Sequence, residues 1–81
     1  MLFEIYDNKY YVDIKGNRHN LSYCILIGPE GYGMKITQDG RETREIRDIT
    51  TSLTRAREIV SCLSRNLVTP VALRDVIDDL L

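Results

Sequence analysis

The sequence predicts an α+β domain: an antiparallel β-meander of four to five strands followed by a C-terminal pair of helices packed on one face. Three observations carry that prediction. Up to residue 49, apolar and β-branched residues alternate with polar ones between turn-forming residues, the period-2 pattern of strands. After residue 52 the apolar period becomes 3.6, the pattern of helices. No linker, internal repeat or low-complexity tract interrupts the chain. Residues 1–81 therefore read as one domain, with 1–49 as sheet, 52–66 as the first helix and 70–80 as the second.

Residues 2–6 (LFEIY) and 10–15 (YYVDIK) read as two strands of a hairpin, with Asp7-Asn8-Lys9 as its turn. Gly16-Asn17 tolerates positive φ and turns the chain again. LSYCILI at 21–27 is the most apolar strand, with Leu21, Tyr23, Ile25 and Ile27 on one face and Ser22, Cys24 and Leu26 on the other. Apolar residues on both faces indicate a central strand, or one whose second face meets a partner. GPEGYG at 28–33 is a loop, GMKIT a further strand, and Asp39-Gly40 a two-residue hairpin turn. RETREIRDI at 41–49 fits a strand or a helix with i,i+3 charge pairs; the preceding hairpin turn favours the strand.

The first helix carries Leu53, Ala56, Ile59, Val60, Leu63 and Leu67 on one apolar stripe, with Ser52 as N-cap. Near Asn66 it ends. Thr69-Pro70 starts the second, Thr as cap and Pro at the first helical position, where its missing N–H costs nothing. Val68 and Leu73 are spaced for a hydrophobic staple, and Leu73, Val76, Ile77 and Leu80 form the buried face.

Composition narrows the function classes. The chain is 43% hydrophobic and 28% charged, as in a folded globular domain. Its net charge of −1 confers no general affinity for nucleic acid or anionic membranes. Cys24 and Cys62 fall in apolar patterns without CxxC or His/Cys spacing, so both are expected as buried free thiols. The start has no basic n-region, and no apolar run approaches the ~20 residues of a membrane span. A cytoplasmic location is expected, with no membrane partner.

No catalytic residue, cofactor site or metal site is assigned. GPEGYG matches neither phosphate-binding glycine pattern and precedes a strand, so no helix N-terminus supplies converging N–H groups. His19, the only histidine, lies in a polar turn and is expected to be solvated. Asp75, Asp78 and Asp79 line one helix face without a second ligand set. Arginine outnumbers lysine eight to three, and six arginines lie between residues 41 and 65. Interleaved Glu42, Glu45, Asp48 and Glu58 leave that region only slightly basic. A helix-turn-helix DNA reader is disfavoured, because the second helix carries Arg74 against three aspartates and phosphate would repel it.

The charges at the helix ends oppose the macrodipole. Arg55 and Arg57 sit in the first turn of the first helix, Asp78 and Asp79 in the last turn of the second. An antiparallel helix hairpin would place these ends level, so charge pairing between them is expected to set the helix register.

The C-terminal half carries Asp48-Ile49-Thr50, an amphipathic helix, Arg65-Asn66 with Val68-Thr69-Pro70, and then Leu73, Asp75, Val76, Ile77, Asp79 and Leu81. Over about residues 46–81 this resembles an uncharacterised family of small proteins from anaerobic Gram-positive bacteria. The cap at Ser52 and the basic Arg55 and Arg57 depart from the acidic first turn usual in that family. The resemblance implies a cytoplasmic bacterial domain and assigns no activity.

The sequence thus favours a non-enzymatic protein-interaction module, acting on a protein partner or by self-association as a homodimer. The motive is the second sheet face, where Tyr6, Tyr11, Cys24 and Leu26 are more apolar than a solvated face needs. The alternative is a nucleic-acid-associated regulator using the arginines between 41 and 57.

Overall fold

The computed structural model describes residues 2–81. Four strands, β1 (Leu2–Val12), β2 (Arg18–Ile27), β3 (Tyr32–Gln38) and β4 (Glu42–Thr50), form one antiparallel sheet in sequence order. Helix α1 (Leu53–Arg65), a single 3-10 turn at Pro70–Ala72 and helix α2 (Leu73–Leu80) follow.

The apolar alternation on β2 decides which face is covered. Leu21, Tyr23 and Ile25 join Met34 and Ile36 of β3 beneath Ala56, Ile59, Val60 and Leu63 of α1. Val68, Leu73 and Ile77 extend this core at its C-terminal end. The segment expected over 41–49 is a strand, β4, beginning at Glu42, as the Asp39-Gly40 turn requires: both turn residues have positive φ, and Arg41 N–H donates to the Gln38 carbonyl at 3.0 Å.

The N-terminal hairpin expected from Asp7-Asn8-Lys9 does not form. β1 runs unbroken from Leu2 to Val12, with a bulge between Ile5 and Asp7 that takes up Tyr6. Asp7 is held beside α1 instead of in a turn, because its carboxylate accepts a hydrogen bond from the Ser64 hydroxyl at 2.7 Å. The strand expected over 10–15 stops at Val12. Asp13 to Asn17 make the turn into β2, with Ile14 fully exposed at its tip and Gly16 at a φ of 85°.

A second bulge shapes β4. Its pairing with β3 shifts between Tyr32 and Met34, and Asp48 sits there at a φ of 54°. Asp is one of the few non-glycine residues that tolerate this region. Gly33 faces the bulge. A Cβ there would overlap the Ile46 carbonyl oxygen and lie 2.8 Å from Arg47 Cα, so only glycine fits.

Ser52 caps α1 as its position predicts, accepting the Arg55 N–H at 3.1 Å. The helix ends in a Schellman turn: Val68 N–H donates to Leu63 and Leu67 N–H to Ser64. Leu67 occupies the left-handed position of that turn at a φ of 50°, so it leaves the apolar stripe on which helical spacing places it. The Tyr23 hydroxyl donates to the Val68 carbonyl at 2.9 Å and fixes the connector to the sheet. Pro70 opens the 3-10 turn and is buried, and α2 proper begins three residues later than the spacing suggests.

Candidate interaction surface

The face of the sheet opposite the helices is assembled by pairing. Directly opposed residues of antiparallel strands share a face. Phe3 pairs with Leu26 and Ile5 with Cys24, while Cys24 and Leu26 pair on their other side with Lys35 and Gly33. Past the bulge, Asn8, Tyr10 and Val12 continue this face opposite Ser22, Asn20 and Arg18.

The four residues expected on this face divide. Cys24 and Leu26 lie on it but are buried, each 5% exposed, because the central strand is flanked on both sides. Tyr11 lies on the helix face, half-buried against the core. The bulge is the reason: it shifts the alternation by one residue, so Tyr10 and Val12, not Tyr11, share a face with Phe3 and Ile5. Tyr6 is exposed within the bulge. The apolar groups left open to solvent are Phe3 at 55%, Ile5 at 58%, Tyr10 at 57% and Val12 at 57%, all on β1. Cations border them: Lys35 Nζ lies 5.2 Å from the Phe3 ring centre, and the Arg18 guanidinium lies 4.1 Å from that of Tyr10.

β1 is also a sheet edge, paired among the described residues with β2 alone. β4, the other edge, carries Glu42, Arg44, Glu45, Arg47 and Asp48 and is bulged, two devices that discourage further pairing. Of β1's eleven residues, only Glu4, Asp7 and Lys9 are charged.

The charged helix ends do not pair as expected. Among the described residues no ion pair joins Arg55 or Arg57 to Asp78 or Asp79. Arg55 instead donates from Nη2 to the Leu80 carbonyl at 3.1 Å, a cation placed at the negative end of α2. The backbone carbonyl takes the role assigned to the aspartates.

His19 is not a solvated turn residue. Its Nδ1 lies 2.8 Å from Asp39 and its Nε2 2.9 Å from Asp13, so one imidazole ties the β1–β2 turn to the β3–β4 turn. Tyr11 stacks on its ring with centres 5.0 Å apart. Both carboxylates are oriented by backbone: Asp39 accepts from Asn20 N–H, and Asp13 from Lys15 and Asn17 N–H. The Asp39 and Asp13 bonds raise the His19 pKa, while His19, followed by those backbone donors, holds both carboxylates below their ordinary value. With both nitrogens engaged by carboxylates, the imidazole has neither a free base nor a free acid for catalysis. Sequence spacing gave no sign of this clasp, since its members lie six and twenty residues apart and meet only once the sheet pairs.

Cys24 is buried and Cys62 half-buried, both as free thiols. No helix among the described residues is long and apolar enough to cross a membrane.

A model of a family of unknown function, DUF6514, matches residues 4–81. The chain belongs to that family. The match to DUF6514 covers the strands as well as the helices of this chain, and not only the 46–81 stretch. No curated protein and no solved structure matches it.

Proposed function

We propose that this chain is a non-enzymatic interaction module of the cytoplasm that receives a protein partner at the free edge of β1. The observation that carries this reading is the coincidence on one strand of an edge unpaired among the described residues and an exposed apolar row, Phe3, Ile5, Tyr10 and Val12. An added strand would gain main-chain hydrogen bonds from the edge and side-chain contacts from the row. The two free thiols are compatible with a reducing compartment.

Nucleic acid is the less supported alternative. Arg47 is drawn toward Glu45 at 3.4 Å, Arg55 is engaged by Leu80, and acidic residues alternate with the remaining arginines.

Affinity capture from host lysate tests the reading, comparing the wild type with Phe3→Ser/Tyr10→Ser. Both side chains are more than half exposed, so the variant keeps its core. Proteins retained by the wild type and lost by the variant support β1 as the docking edge; identical retained sets contradict it.

A further inference from the structure

Resting on the β1 docking reading, we propose that the strand added at this edge is β1 of a second copy. The two run antiparallel, with Phe3 opposite Tyr10 and Glu4 opposite Lys9 of the other copy. The result is a continuous eight-stranded sheet about a two-fold axis.

The bulge selects this register. Before it, the open-face residues are odd-numbered, Phe3 and Ile5; after it they are even-numbered, Asn8, Tyr10 and Val12. Opposed residues in an antiparallel pair must share a face. A stretch before the bulge therefore matches a stretch after it only when an odd-numbered residue opposes an even-numbered one. Residues on one face of a strand also turn their amides to one edge, so the same match aligns the hydrogen-bonding groups.

Three registers meet this condition over most of the strand. One opposes Glu4 to Asp7 of the other copy, a like-charge contact made twice. A second opposes Phe3 to Val12. It leaves Glu4 and Lys9 facing tyrosines and sets its axis between Asp7 and Asn8, which lie on different faces. The third opposes Phe3 to Tyr10, and its axis passes through the bulge itself, between Tyr6 and Asp7. Outside the Tyr6–Asp7 step of the bulge, every pair then agrees in face: Leu2 with Tyr11, Phe3 with Tyr10, Glu4 with Lys9, and Ile5 with Asn8. Symmetry doubles each pair, giving two opposite-charge and two aromatic contacts across the seam. Lys9 already lies 3.6 Å from Asp7 of its own chain, so the second copy's Glu4 would complete an acid–base–acid row on the helix face.

The edge is long enough to hold a partner. Eleven residues of strand extend about 37 Å, close to the 42 Å long dimension of the molecule.

Sedimentation equilibrium over a concentration series, with charge reversal and cross-linking, tests the proposal. The wild type is expected to reach twice the 9.4 kDa chain mass. Glu4→Lys and Lys9→Glu should each weaken association about tenfold, because two attractive pairs become repulsive, and the two substitutions combined should restore it. In a Cys62→Ser background, Phe3→Cys/Tyr10→Cys should form an intermolecular disulfide under mild oxidation while Phe3→Cys/Val12→Cys does not. A wild type that stays at the chain mass overturns the second-copy proposal. So does a dimer that ignores the charge reversals or links through residues 3 and 12. A monomer that still loses captured proteins on Phe3→Ser/Tyr10→Ser keeps the docking edge with a different partner. A dimer unchanged by that variant, with no loss of captured proteins, removes both readings.

Discussion

At the scale of single residues, His19 satisfies Asp13 and Asp39 together only as an imidazolium, with an N–H donated to each. Its pKa is raised above the ordinary 6.5, so its contribution to stability is complete below that value and lost as pH rises through the folded pKa. The carboxylates are lowered from 3.8, so theirs is complete above that value and lost as pH falls through their folded pKa. The clasp is thus whole between about 3.8 and 6.5. His19→Ala should lower the melting temperature inside that window, and the gap from wild type should close at alkaline pH. A gap independent of pH would contradict an ionic clasp. Leu67 makes the opposite prediction. It holds a left-handed conformation that favours glycine, so Leu67→Gly should raise the unfolding free energy by about 0.5–1 kcal/mol, read as a higher urea midpoint.

At the scale of elements, the two bulges matter most. Gly33→Ala would push a methyl group into the β4 bulge, and its unfolding free energy should fall by about 3 kcal/mol, the upper end for overpacking. The connector depends on one buried bond, so Tyr23→Phe should cost about 1–2 kcal/mol by leaving the Val68 carbonyl without its donor. Both losses can be read from urea unfolding. The elements whose signals are local were legible in the sequence: the Asp39-Gly40 turn, the Ser52 cap, the β2 alternation and the helical stripe of α1. Those that depend on distant partners were not. Asp7-Asn8-Lys9 has turn composition, and only the contact with Ser64, fifty-seven positions away, shows why it stays in a strand. The bulge that accompanies it is equally silent in the sequence, and it puts Tyr10 and Val12, not Tyr11, on the open face. The pairing expected of Arg55 failed for a related reason: sequence displays side-chain charges, whereas the acceptor it meets is a backbone carbonyl.

At the scale of the whole molecule, the two sheet edges are unlike. β4 is bulged, charged and flanked by the Pro70–Ala72 turn, whereas β1 presents an apolar row beside an open edge. We propose that a second copy completes the sheet at that apolar edge. Hydrogen exchange of the β1 amides at low and high protein concentration tests this most directly. Pairing between copies predicts that the Phe3, Ile5, Asn8 and Tyr10 amides exchange more slowly as concentration rises, while β4 amides do not change. Exchange in β1 that is the same at both concentrations would contradict it.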